Sequence, residues 1–410
     1  MKRLKGRYGS ATERGDAMKY DFDKVIDRHG TGSVKWDLVE ETFKVKGILP
    51  MWVADMDFRS PPAITDALRR VAEHRVFGYT TPPDSYYEAV IGWMEKRHGW
   101  EIEREWFVLT PGVVPALRVL VKAFTRPGDQ VVVQTPVYYP FFDAIRGNAC
   151  EILENPLKLV RNQYVMDLAD LENKIGPRTR MIILCSPHNP IGRVWKAEEL
   201  QRLGELCIKH GVLVVSDEIH SDLIHRGFKH VPFPTVSPGF VDKCVVCTAA
   251  SKTFNLPGLK ASNIIIANRE MRDRFCAMMR SCGMGAPNMF GLAATEAAYH
   301  YGEDWLEQLL DYLQGNVALI KRYAKEKIPG LKVIQPQGTY LVWLDFRGCG
   351  IPAKRLGGFV REEARVGLEA GRMFGCREDG FERMNTACPR SVLEKGLKRL
   401  EKAVKAARPR

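Results

Sequence analysis

No apolar run in this 410-residue chain approaches the roughly 20 residues a membrane helix needs; Met181-Ile-Ile-Leu-Cys185 and Val212-Leu-Val-Val215 are typical of its runs. The first residues are basic, but no apolar stretch follows them, so a secretory signal is not expected and a cytoplasmic location is. Paired metal-ligand motifs are also missing. Cys244-Val-Val-Cys247 is the sole CxxC, with no second pair at similar spacing, and it sits in a run that reads as a buried strand, where positions three apart face opposite ways. The ten cysteines therefore read as reduced thiols, and no metal site is expected. No internal repeat, low-complexity segment or nucleic-acid-binding motif is present. Nor is the net charge of +12 spread over the body: residues 1–17 hold five basic and two acidic groups and residues 395–410 hold seven and one. Nine of the twelve excess charges thus lie in the two ends, which argues against nucleic acid as a partner, as the lack of spans argues against a membrane.

What is present is an ordinary globular composition, 45% apolar and 27% charged, which excludes collagen, coiled-coil rod and disordered chain. At ~100–200 residues per domain the length suggests two or three domains. Between residues 105 and 268, β-branched runs at 106–110, 130–134, 150–154, 180–186, 211–217, 243–248 and 262–267 alternate with stretches of helical spacing. Several runs are apolar on both faces, so the expected fold class is α/β: a mostly parallel seven-stranded sheet with helices on both faces. After Gly291 the pattern becomes that of a smaller α+β domain. It comprises a long helical stretch over 289–327 with turn signals near Gly302 and Gly315, two strands within 331–346, and an amphipathic helix over 391–407. The expected boundaries are a basic, disordered tail over 1–17, an N-terminal segment over 18–60 that joins the smaller domain, a large domain over 61–302 and the small domain over 303–410. Residues 367–380, rich in glycine and charge, read as a loop.

Ligands of open α/β sheets bind beyond the carboxyl ends of the strands, and each strand end here carries a candidate. Gly112 and Val113 open a helix whose free N–H groups suit a phosphate. Tyr138 could stack on a flat ligand, Asn189 sits in a turn set by Pro190 and Gly192, and Asp217 ends a buried strand. Ser251-Lys252-Thr-Phe-Asn255 puts a lysine in an apolar, glycine-bearing stretch that leads to Lys260, where its charge is costly without a partner. Singly, each has a duller structural explanation: a helix cap, a turn, a solvated side chain. Together they match the needs of pyridoxal 5'-phosphate, which wants a lysine for its aldehyde, an anion facing its ring nitrogen, donors for its hydroxyl, a stacking partner and a phosphate cradle.

In these residues the chain resembles the fold-type I pyridoxal-phosphate enzymes, aminotransferase class I and II, and within them the cystathionine β-lyase or C–S lyase branch. The resemblance runs from about Met18 to Lys402. It is carried by Pro50-Met-Trp-Val-Ala-Asp-Met-Asp-Phe58, Phe77-Gly-Tyr-Thr80, Ser216-Asp-Glu-Ile-His-Ser-Asp222, Ser251-Lys-Thr-Phe-Asn255 and Arg383-Met-Asn-Thr-Ala-Cys-Pro-Arg390. It implies that residues 61–302 form the cofactor-binding domain, with Lys252 as Schiff-base lysine and acid/base, Asp217 at the pyridinium nitrogen, and Asn189 and His220 at the ring hydroxyl. It further implies Tyr138 on the ring, and Gly112, Val113, Ser251 and Lys260 around the phosphate. Tyr79 would reach that phosphate from the second subunit of a homodimer. Arg383, Ala54 and Asn189 would hold the substrate, Arg383 by a bidentate pair with its carboxylate. Two departures touch the phosphate: Lys260 supplies a point charge where relatives often carry arginine or a neutral residue, and Ala249 stands where a serine is common. The implied activity is α,β-elimination from cystathionine or another sulfur amino acid to a thiol, pyruvate and ammonia. The alternative is an aminotransferase working on an L-amino acid and a 2-oxo acid.

Overall fold

The computed structural model describes residues 19–377 and 379–407, so the tail expected over 1–17 lies outside the described residues. All seven expected strands form one sheet: β1 (Phe107–Thr110), β2 (Gln130–Val133), β3 (Glu151–Glu154), β4 (Thr179–Cys185), β5 (Leu213–Asp217), β6 (Cys244–Thr248) and β7 (Ser262–Ile265). Their order is β1-β7-β6-β5-β4-β2-β3. Neighbours are parallel except around β7, which runs antiparallel to both β1 and β6. Two reversals restore the direction, so β1, β2, β4, β5 and β6 all end on the same edge.

Successive side chains of these strands enter different cores. Ile182, Leu184, Val214, Val246 and Cys244 pack on one side of the sheet, while Met181, Ile183, Val215, Val245 and Cys247 pack on the other. A strand covered on both faces gains from apolar residues at every position, which is why the runs do not alternate. The two sulfurs of the CxxC accordingly point to opposite sides. Among the described residues no cluster of three or more His, Cys, Asp or Glu is arranged to hold a metal ion, and no helix is long and apolar enough to cross a membrane.

Four helices frame the sheet edge and the smaller domain: α1 (Val113–Phe124) against the sheet, then α2 (Met289–Tyr301), α3 (Glu303–Lys327) and the C-terminal α4 (Arg390–Ala407). The chain breaks between α2 and α3 at Gly302, as expected, but Gly315 lies inside α3 rather than at a turn. A Cβ at Gly315 would stand 2.5 Å from Nη2 of Arg390, whose guanidinium covers the Tyr312 ring at 4.4 Å. The glycine stands in the helix against the far end of that side chain, and no turn forms there. The first half of α3 packs in the large core through Trp305, Leu306 and Leu309. Its second half packs in a third core through Val317 and Ile320.

That third core lies on a four-stranded antiparallel sheet of β8 (Lys332–Val333), β9 (Leu341–Asp345), β10 (Glu369–Ala370) and β11 (Phe381–Asn385), in the order β8-β9-β11-β10. Residues 367–380, expected as a loop, therefore include an edge strand and a short 3-10 turn over Gly371–Phe374. Strand propensity there is weak, and cross-strand pairing with β11 imposes the conformation. Leu49 and Met51 join the third core, and Leu49–Pro50 pairs in parallel with Val366–Gly367.

Beyond Pro50 the chain crosses between the cores as an extended ribbon held by a buried ion cluster. Asp57 receives Lys35 Nζ at 2.7 Å, Trp36 Nε1 at 2.9 Å and Arg28 Nη1 at 2.8 Å, and Arg28 also grips Asp55 at 2.8 Å. Lys35 and Asp57 are 1% and 4% exposed, so each carries a charge that water cannot screen. Asp57→Ala should lower the urea unfolding free energy by about 3 kcal/mol, because it leaves Lys35 buried with the Asp55 carboxylate, at 3.8 Å, as its remaining anion. Asp66→Ala, which removes an exposed pair with Arg69, should leave the urea midpoint unchanged.

Candidate active site

The register sets the ends of three strands level, with Cys185 beside Asp217 and Asp217 beside Cys247. Just beyond β6 the one-turn helix Ala250–Thr253 presents Lys252. Its Nζ donates to the carbonyl of Ala54 at 2.6 Å, and Tyr340 Oη donates to the same oxygen at 3.0 Å. The neighbouring Thr253 hydroxyl donates to Asp222 at 2.7 Å. That carboxylate also takes Trp93 Nε1 at 2.9 Å and meets His98 Nε2 at 2.8 Å, so the turn that aims Lys252 is pinned to the segment after β5. Burial, then the charge of Arg383, lowers the Lys252 ammonium to about 8.

Asp217 is buried at the end of β5, and among the described residues its carboxylate accepts from the Ile219 amide alone, at 3.2 Å. Burial pushes its carboxyl up to about 7, against the opposing pull of that amide and of Lys252. His220, also buried, is lowered to about 3 by burial and by the charges of Lys252 and Arg383. Its Nδ1 has no hydrogen-bond partner among the described residues. On the far side Arg383 projects from β11, 1% exposed. Its Nη1 donates to Asn189 Oδ1 at 2.8 Å, its Nη2 donates to the Trp52 carbonyl at 3.0 Å and pairs with Glu369, and its plane lies 4.9 Å from the Phe374 ring. Its Nε is left without a partner among the described residues. Tyr138, after β2, has its phenol pushed up to about 12 by burial, and feels the charges of Arg383, Glu369 and Asp217.

At the end of β1, Gly112 caps α1 with φ of 148°, a conformation that favours glycine. The first turn of α1, which begins at Val113, has no side-chain cap and no acidic residue, so its N–H groups and dipole face outward unopposed. Thr110 and Ser262 share a hydrogen bond of 2.7 Å beside it.

One cluster thus contains Lys252, Asp217, His220, Asn189, Tyr138, Arg383 and the backbone of Ala54. Ser251 shares the turn of Lys252 and is half-buried; Lys260 is exposed, at a left-handed position with φ of 55°. Tyr79 stands apart: at 113% relative exposure it touches nothing in its own chain. Three residues escape sequence reading. Glu369 lies in the stretch expected as a loop. Tyr340 and Asn385 look like ordinary small-domain residues, yet Tyr340 holds the Ala54 carbonyl and Asn385 Nδ2 donates to those of Val53 and Asp55, each at 2.6 Å. Only the position of Asn385 inside the Arg383–Arg390 string could have signalled its part.

Residues 47–400 match the model of the family described as aminotransferase class I and II. The chain is 47% identical over 385 residues to a Bacillus subtilis protein named cystathionine beta-lyase PatB, covering 94% of this chain and all of that one. Among solved structures, cystalysin from Treponema denticola, which contains pyridoxal 5'-phosphate, superposes with a TM-score of 0.92 at 38% identity over 95% of this chain and all of that one. The pyridoxal-phosphate-bound C-S lyase from Staphylococcus hominis gives 0.89 at 33%, over 95% of this chain and 99% of that one.

With no ligand bound, Lys252 should undergo reductive methylation with a midpoint near pH 8, because its buried amine loses its proton well below the ~10.4 of exposed lysines. Peptide mass mapping across a pH series reads this directly; a midpoint for Lys252 equal to that of the exposed lysines would contradict it.

Proposed function

The chain belongs to the aminotransferase class I and II family, and from that premise we propose that it is a pyridoxal-phosphate-dependent carbon–sulfur β-lyase. Cystathionine or another S-conjugate of cysteine, with one water, would be converted to a thiol, pyruvate and ammonia. The observation that carries this reading is the full-length likeness, at 47% identity, to a protein named for that activity, joined to a half-buried lysine and a buried arginine brought to one site.

The residues fit the cofactor. Asp217 is a buried carboxylate with no ion-pair partner among the described residues, and a protonated ring nitrogen would supply one. His220 Nδ1 is an unpaired buried atom suited, with Asn189, to the ring hydroxyl. The uncapped start of α1 at Gly112 and Val113 suits the phosphate, to which Ser251 and Lys260 would add their side chains, and Tyr138 would cover the ring. When bound, the cofactor supplies an electron-poor ring that takes up the electron pair left as a bond at the substrate α-carbon breaks.

The chain's own groups do the rest. Arg383 holds the substrate carboxylate by its planar fork, with Asn189 fixing the orientation of that fork through Nη1. Lys252 Nζ takes the α-proton, and its lowered pKa of about 8 leaves part of it unprotonated near neutrality. The Ala54 carbonyl, itself held by Tyr340, aims that nitrogen. Burial of Tyr138, Asp217 and His220 keeps water from the reacting carbon. An aminotransferase would need the same lysine, carboxylate and arginine, and differs in requiring a 2-oxo acid.

The second copy enters through residues 76–79. Val76, Phe77 and Tyr79 are 64%, 61% and 113% exposed, an apolar strip that a partner would cover while Tyr79 reaches the partner's phosphate site. This makes the working enzyme a homodimer, placed in the cytoplasm and in sulfur amino-acid metabolism.

Purified enzyme given cystathionine should release pyruvate with no 2-oxo acid present, and Lys252→Ala should cut the rate by about a thousandfold or more. An absolute requirement for a 2-oxo acid would replace this reading with the aminotransferase one. Sedimentation should give a dimer, and Tyr79→Ala should weaken cofactor retention on dialysis without dissociating it.

A further inference from the structure

Glu369 has no part in the proposed chemistry, yet it sits against the residue that anchors the substrate. In the small sheet it is the cross-strand neighbour of Arg383. Its side chain is 5% exposed and ion-paired with Arg383 Nη2, and Tyr139 Oη donates to it at 3.4 Å. The cations whose charge it feels are Arg383 and Lys252. A buried carboxylate already opposes the charge of the guanidinium before any substrate arrives. When the substrate α-carboxylate takes its place on Arg383, two anions share one cation, with Asp217 close enough for its charge to reach Lys252.

We propose that Glu369 sets the charge specificity of the substrate side chain: its carboxylate beside Arg383 admits S-conjugates whose distal group is an ammonium or is neutral, and rejects those ending in an anion. A further anion in this site meets the carboxylates already gathered around Arg383, Glu369 among them, whereas an ammonium offsets them. Cystathionine, whose distal end bears an ammonium beside its carboxylate, meets the requirement through that ammonium. The inference rests on the lyase reading.

The test is a series of near-isosteric cysteine conjugates differing in charge: S-(2-aminoethyl)cysteine, S-ethylcysteine and S-carboxymethylcysteine, with pyruvate release followed on the holoenzyme. Wild type should rank them cation, neutral, anion in kcat/KM, with about a tenfold step at each stage. Glu369→Gln should bring the three together while keeping turnover of the neutral compound, and Glu369→Asp should restore the ranking. Binding gives a readout free of turnover. Lysine, norleucine and 2-aminoadipate match the series in shape but carry no β leaving group, and their dissociation constants, from thermal shift, should follow the same order. A flat or reversed ranking in wild type, or a ranking that Glu369→Gln leaves intact, overturns the assignment of specificity to Glu369 while the lyase reading stands. No pyruvate from any of the three while cystathionine is turned over overturns the assignment to Glu369 alone; no pyruvate from cystathionine either overturns both.

Discussion

A stretch of extended backbone at 52–58 ties the molecule together, and it does so without joining a sheet. Its polar groups are satisfied by side chains from both bodies of the protein. Arg383 takes the Trp52 carbonyl, Asn385 those of Val53 and Asp55, and Lys252 and Tyr340 that of Ala54, while Asn255 brackets Met56 through its N–H and its carbonyl. Buried backbone groups need partners wherever they lie. Two of these partners, Lys252 and Arg383, are groups proposed to act on the substrate, so the ribbon that links the two cores also aligns the site between them. The cluster of Arg28, Lys35, Asp55 and Asp57 holds the ribbon from behind.

The second constraint is dryness. Asp217, His220, Lys252, Glu369 and Arg383 are ionisable groups enclosed together, and burial is the largest influence on Asp217, His220, Lys252 and Glu369. In such a site each charge is felt by the others, and the protonation of one group depends on what the others hold. An amine brought down toward neutrality and a carboxylate left without a cation are costs to the folded chain, and they are the kind of cost that functional sites carry.

Much of this was legible in the residues. The seven strands are written in β-branched runs and helical spacing, because a doubly covered strand must be apolar throughout. Asp217 ends a strand, and Gly112, Tyr138, Asn189 and Lys252 stand a few residues past one, a location that sheet topology alone picks out. The turn expected at Gly315 and the loop expected over 367–380 failed for one reason: a glycine marks either a bend or a close approach, and only the neighbour across space, Arg390 in one case and β11 in the other, tells which.

Local chemistry written along the chain determined the class of fold, the sheet edge that carries the site and the lysine and carboxylate within it, since periodicity, turn residues and strand ends are properties of neighbouring residues, whereas Arg383 was indicated only by the family resemblance. Tertiary structure alone decided that Glu369 lies against Arg383, that the Ala54 carbonyl receives Lys252, and that Asp217 is buried with no ion-pair partner among the described residues. Those contacts join residues roughly 14 to 200 positions apart, or depend on the exclusion of water; no spacing along a chain encodes either.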